Sequence, residues 1–214
     1  MSDDLDLRER HGLCNLMLGL GPDAPTLCGD WTAFDLAAHL SVRERNPLSA
    51  PGILFGGPFE GFTEALMARE QKRGFEAVVA RVRNPPPGPL SIPAVRSAMS
   101  LIEFTVHHED LRRPNGLGPR NDIDDLNEAI WQKIKQLSGL ILRRARIGDI
   151  SLQLHATGAV DSSHRVGKGS RVVEIRGPAV ELLLYLYGRQ ASAEVETIGE
   201  DDDVATAADA NFGI

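Results

Sequence analysis

In the stretch SLIEFTVHHEDLRR, Glu103, His107 and Asp110 stand at i, i+4 and i+7, a spacing that lines them along one stripe of a helix. A carboxylate and an imidazole four residues apart can converge on one divalent cation, because Zn²⁺ accepts both histidine nitrogen and carboxylate oxygen. On one side of that stripe Val95, Ala98, Met99, Ile102 and Val106 form an apolar face; roughly opposite, Leu101, Phe104 and Leu111 form another. A helix apolar on two sides belongs inside a bundle, so the polar stripe is expected to point inward, where uncompensated carboxylates and imidazoles are costly. A bound metal is one compensator. An intrahelical Glu–His hydrogen bond or ion pair is another, and ExxxH spacing alone does not choose between them.

A third ligand would have to come from a facing helix, and His39 in DWTAFDLAAHLSVRER is the best-placed candidate, with Asp35 and Arg43 on its own i±4 stripe. A set of two histidines and one glutamate leaves a fourth position for water or substrate, as catalytic zinc sites do. Asp110 reads either as the partner that orients His107 or as a salt-bridge partner of Arg112, Arg113 or Arg43. His108 lies about 100° further round the helix, beside Leu101 and Phe104, and reads as a packed histidine. Thr32 followed by Asp35 matches a capping box, which gives Asp35 a structural role in competition with support of the neighbouring histidine.

These residues need helices to hold them, and the first 146 residues supply the pattern. Leu13, Leu16, Met17 and Leu20 mark a helix over Leu5–Leu20 that stops at the breaker-rich GLGPDAP. A second helix runs from Ala33 to Arg45 and ends before Pro47. FEGFTEALMAREQKRGFEAVVARVR reads as a third, continuous through Gly74, with a loop before it in PLSAPGILFGGP and a non-helical NPPPGPLSIP after it. A fourth is expected over Ala94–Arg112 and a fifth over Leu126–Arg144. Beyond residue 147 the period changes. DISLQLHAT and RVVEI read as strands, SSHRVGKGS between them as a hairpin loop, GPAVELLLYLYGRQ as a helix ending at Gly188, and SAEVETIGEDDD as an edge strand running into a solvated acidic segment. The expected organisation is therefore α+β, a helical bundle over 1–146 followed by a small α/β domain over 147–214.

Composition narrows the partners. With 42% hydrophobic and 25% charged residues over 214, the chain is long enough for a buried core, and its formal net charge of −7 argues against the clustered cations that nucleic-acid binding requires. The acidic N-terminus lacks an apolar signal region and no apolar run approaches the ~20 residues that span a bilayer. A cytoplasmic protein with neither nucleic acid nor membrane as partner is expected. Cys14 and Cys28 are too few for a disulfide framework, lie outside any CxxC and read as buried thiols.

WTAFDLAAHLSVRERNP together with EFTVHHEDLRRP resembles the mycothiol-dependent maleylpyruvate isomerase family, whose N-terminal part is a DinB-like four-helix bundle. GPAVELLLYLYGRQ resembles that family's C-terminal domain, a small α/β domain related to sterol carrier proteins, so the resemblance covers nearly the whole chain. The opening PTLCGDWTAFDLAAHL looks like that of an actinobacterial, metal-binding branch. The resemblance implies a divalent metal, usually zinc, held at the positions of His39, Glu103 and His107. It also implies an arginine in the C-terminal domain that assists the substrate, here Arg189, whose competing reading is a cation favoured by a helix C-terminus. By the same resemblance, the sulfur of the low-molecular-weight thiol mycothiol would take the open metal position and attack a small-molecule substrate, as in an isomerase or a thiol S-transferase. The alternatives are a metal-binding or small-ligand-binding protein without catalysis, and a bundle whose polar stripe is simply hydrogen-bonded. Monomer and homodimer are both compatible with the sequence.

Overall fold

Thr32 and Asp35 close a reciprocal cap on the second helix: the Thr32 N–H donates to Asp35 Oδ2 at 2.9 Å, and the Asp35 N–H to Thr32 Oγ1 at 3.3 Å. Two backbone donors that a helix start leaves without intrahelical acceptors are thereby satisfied. Asp35 Oδ1 accepts from Gln71 Nε2 at 2.8 Å, so both carboxylate oxygens are engaged in structure. Of its two expected roles, the capping one is what the geometry displays.

The computed structural model describes residues 4–45, 60–84, 86–87, 93–145 and 147–212, with the backbone alone for 60–62, 93–99 and 143–144. The loop expected at 47–58 and most of NPPPGPLSIP lie outside the described residues, as do the side chains of Val95, Ala98 and Met99. The chain divides into two compact units, Met1–Gly118 and Pro119–Ile214. In the first, α1 is Leu5–Leu20, α2 Ala33–Arg45, α3 Glu60–Gln71, α4 Phe75–Arg83 and α5 Pro93–Arg112, with a 3-10 turn at Arg113–Asn115. The continuous third helix expected from the sequence is thus two helices. Gly74 adopts φ 88°, a conformation that glycine takes without the Cβ penalty, and the chain turns there. The turn lets the short α4 pack against both α1 and α2.

That change of direction builds the core. Leu13, Cys14 and Met17 of α1 meet Leu36, Ala37 and Leu40 of α2, Val78, Val79 and Val82 of α4, and Phe104 and Leu111 of α5. Each large aliphatic or aromatic side chain so buried contributes on the order of 1.5–3 kcal/mol. A second cluster of Ala38, Val42 and Met67, lined by Trp31 and Leu66, joins α2 to α3.

Glu70, at the end of α3, accepts from Ser41 Oγ at 2.7 Å and from Arg73 Nε at 3.1 Å, and also pairs with Arg81. Burial pushes its carboxyl upward, but the hydrogen bonds from Ser41, Arg81 and Arg73 outweigh it and hold the group below its ordinary 4.5. A folded-state value below the unfolded one means stability that is present above 4.5 and lost as pH falls through the folded value. Acid melting curves of wild type and Glu70→Gln should therefore converge below that window and diverge above it, with the wild type the more stable at neutral pH.

In the second unit α6 is Asp124–Ala145, followed by β1 Ile150–Ala156, β2 Ser162–Val166, β3 Arg171–Gly177, α7 Ala179–Leu186, a 3-10 turn Gln190–Ser192, β4 Glu196–Ile198 and α8 Asp201–Ala208. The division falls at 118/119 rather than at the expected 146/147 because α6 packs with α7 and β2. Leu126, Ile130, Ile134, Ser138 and Ile141 bury one stripe of α6; Ser138 Oγ lies 3.1 Å from His164 Nε2 on β2, and Asn127 Oδ1 accepts the Val180 N–H at the start of α7.

The sheet order is β2-β1-β3-β4, with β1 parallel to β3 and antiparallel to β2, and β3 antiparallel to β4. SSHRV, expected within a loop, is the edge strand β2. Its side chains are mostly exposed, so it carries no apolar alternation to betray it, while its register with Leu152–Ala156 is set by the backbone ladder. The acidic run Asp201–Asp203 forms the first turn of α8, where carboxylates favour the helix dipole. Asp203 itself is buried and paired with Arg171, against the expectation of a wholly solvated segment. The molecule is α+β, a helical unit followed by a small α/β unit. No helix among the described residues is long and apolar enough to cross a membrane.

Candidate metal centre

On α2, His39 sits between two buried stripes: Leu36, Ala37 and Leu40 enter the main core, and Ala38 and Val42 enter the cluster with Met67. On α5, Phe104 and Leu111 enter the main core and leave Glu103 and His107 on the flank. The two flanks meet. The rings of His39 and His107 lie edge to face, 5.7 Å between centroids. His39, Glu103 and His107 each offer one ligand atom, and the three atoms lie within 4.8 Å of one another. All three residues are partly buried.

Electrostatics leave the His39 imidazole suited to donating its lone pair. Desolvation, with like charge from His107 and then Arg43, pushes His39 down to about 3, so it is neutral at physiological pH. The Trp31 ring, 5.0 Å from the His39 ring, supplies an aromatic wall on that side. His107 Nδ1 lies 2.9 Å from Oδ2 of Asp110, which is fully buried. An ionised carboxylate can only accept, so this contact places the proton on Nδ1 and leaves Nε2 as the imidazole's lone pair. Asp110 therefore orients His107, while Arg112 and Arg113 pair with Glu109. Glu103 is paired with Arg43 through Oε2, which holds negative charge in a site where its side chain is 10% exposed.

His108 is packed, as its position on the apolar side suggests. It approaches Glu9 of α1 at 3.2 Å, and a Cβ at Gly12 would come within 2.7 Å of its ring. Arg189 belongs to the second unit, immediately before the turn Gln190–Ser192, with its guanidinium donating to the Tyr187 carbonyl.

Sequence reading missed Cys28. Its Sγ lies 3.2 Å from Asp110 Oδ2 and 3.9 Å from His107 Nδ1, and these three residues form a second group with metal-ligand geometry that shares His107 with the first. Cys14, by contrast, is a buried thiol whose Sγ lies 3.8 Å from the Val79 carbonyl oxygen. No spacing could have paired Cys28 with Asp110, which is 82 residues away. The loop does so: the Leu27 N–H donates to the Asp110 carbonyl at 2.9 Å, and Asn115 Nδ2 donates to the Pro25 carbonyl at 3.0 Å.

Two imidazole nitrogens and a carboxylate oxygen form a donor set that suits zinc, and one histidine already has the carboxylate partner that metal-bound imidazoles usually carry. The residues present fit a divalent metal.

No family model matches the sequence, and no curated protein matches it. Among solved structures the chain is similar to that titled the crystal structure of the mycothiol-dependent maleylpyruvate isomerase, with 15% sequence identity, a TM-score of 0.58, and coverage of 92% of this chain and 91% of that one. At that identity the likeness is one of fold, and it extends over both units.

Proposed function

We propose that His39, Glu103 and His107 hold a divalent metal, zinc being the best match, and that the protein is a mycothiol-dependent enzyme of the isomerase or thiol S-transferase kind. The observation that carries the reading is the convergence of three donors from α2 and α5 within 4.8 Å. Zinc bound there would favour the thiolate form of a coordinating thiol at neutral pH. The chain's own residues account for the rest of the site. Asp110 keeps the His107 proton on Nδ1, burial keeps His39 neutral, and Arg43 offsets the charge of Glu103. Trp31 shields one side of His39 from water.

The reaction class consistent with such a site is addition of a thiol to an activated double bond, followed by elimination, or displacement of a leaving group by the thiol. Arg189 is proposed as the cation that clamps a substrate carboxylate, since a guanidinium can meet both oxygens in a fork. The fold shared with a mycothiol-dependent maleylpyruvate isomerase supports this choice of thiol and substrate class.

The test is to incubate metal-loaded protein with mycothiol and either maleylpyruvate or a panel of electrophiles, following isomer composition and thioether formation. Turnover that needs mycothiol, disappears in His107→Ala and shows a raised KM for carboxylate substrates in Arg189→Ala is the expected result. Silence across the panel from protein carrying its full metal complement would favour the non-catalytic metal-binding reading.

A further inference from the structure

The loop between α1 and α2 delivers a thiol to the carboxylate that orients His107. Cys28 Sγ donates to Asp110 Oδ2 at 3.2 Å, the same oxygen that lies 2.9 Å from His107 Nδ1. Asp110 is fully buried, so the direction of that carboxylate is set by its protein donors. The loop is itself anchored. Cys28 N–H donates to Thr26 Oγ1 at 3.1 Å, Thr26 Oγ1 donates to the Trp31 carbonyl at 2.7 Å, and the Leu27 N–H donates to the Asp110 carbonyl. Trp31 in turn packs on the ring of His39. One short segment, Thr26–Trp31, therefore touches both histidines of the centre, one by an aromatic face and the other through Asp110.

We propose that Cys28 is a positioning residue of the metal centre: its S–H holds Asp110 Oδ2 in line with His107 Nδ1 and so fixes the orientation in which the His107 lone pair meets the metal. The inference rests on the metal-binding reading above. The physical basis is that a carboxylate oxygen with two donors is confined by both of them. Take one away and Oδ2 is held less tightly, because χ2 of an aspartate is a broad torsion, and His107 is oriented less firmly. Cys28 is here a donor to a carboxylate and neither ligates nor reacts.

The experiment compares wild type, Cys28→Ala, Cys28→Val and Cys28→Ser in the full chain, measuring Zn²⁺ affinity by competition with a chromophoric chelator and the visible absorption of the Co²⁺-loaded protein. Loss of an orienting partner typically weakens metal binding by about 10- to 100-fold, and the Ala and Val variants are expected near the lower end, about tenfold, with a displaced Co²⁺ band. Ser restores a donor at the same carbon and should recover affinity to within about threefold of wild type together with the wild-type band. Val keeps the volume filled and carries the test if Ala does not fold. Wild-type affinity, or tighter, in Ala and Val with an unchanged Co²⁺ spectrum overturns the proposal, and so does a Ser variant that behaves like Ala. Wild-type protein that binds no metal, or whose binding is untouched in His39→Ala, overturns the metal reading itself and is recorded before any Cys28 variant is compared.

Discussion

Purified without chelator, the protein should carry about one divalent ion per chain, and His39→Ala should lose it. His39 is the sole α2 contribution to a centre whose other two donors lie one turn apart on α5, so its removal leaves a two-residue site on one helix. Loss of an orienting partner alone costs about 10- to 100-fold in affinity, and loss of a direct ligand should exceed that. Glu103→Gln and His107→Ala should behave alike, whereas His108→Gln should keep the metal, because His108 faces Glu9 of α1. Elemental analysis of the four variants beside wild type reads the result. Because a ligand that binds only the folded state stabilises it, chelator should lower the melting temperature of wild type and leave that of His39→Ala unchanged. A metal-free wild type, or a His39→Ala protein with full occupancy, would remove the basis for the proposed chemistry.

The largest effect on stability is expected at a pair that takes no part in the proposed chemistry, at Glu44→Ala. The Arg10 side chain is completely buried, pairs with Glu44, donates to the Val82 carbonyl at 2.6 Å, and lays its guanidinium 4.1 Å above the Phe104 ring. The Glu44 side chain is 2% exposed, so the pair is dry on both sides. Such a pair adds little by itself, since the desolvation of two ions offsets their attraction, but removing one partner strands the other. Glu44→Ala should therefore cost about 3–5 kcal/mol in chemical denaturation, because the carbonyl and the ring cannot neutralise a buried cation. The double replacement Arg10→Met with Glu44→Leu removes both charges and should recover most of that loss. A double variant no more stable than Glu44→Ala would show that packing, and not the stranded charge, set the cost. Since Arg10 and Phe104 join α1 to α5, the single variant should also loosen the helix that carries Glu103 and His107, lowering metal affinity in parallel with stability.

Much of the local structure was legible in the chain. The helices at Leu5–Leu20 and Ala33–Arg45 have the bounds their apolar spacing and breakers predict, the Thr32–Asp35 cap forms, and Gly188 ends α7 with φ 80°. These are short-range matters, decided by side chains within one or two turns of each other. Glu103 and His107 share a stripe for the same reason. Features that depend on distant neighbours were illegible or misread. The break at Gly74 depended on α4 finding space against both α1 and α2, and a lone glycine in a helical pattern does not announce that. The strand at SSHRV has no apolar period because it is an exposed edge, and α6 groups with the sheet through buried residues whose partners lie far along the chain.

The centre divides in the same way. The sequence by itself determined which residue types could donate to a metal and that two of them share a helix face, because helical geometry makes residues four apart neighbours whatever surrounds them. Whether His39 meets them, whether Asp110 turns to His107 or to an arginine, and whether Cys28 belongs to the site were decided only by tertiary packing. Those contacts span 79 and 82 residues for Cys28 with His107 and Asp110, a separation across which no periodicity carries information.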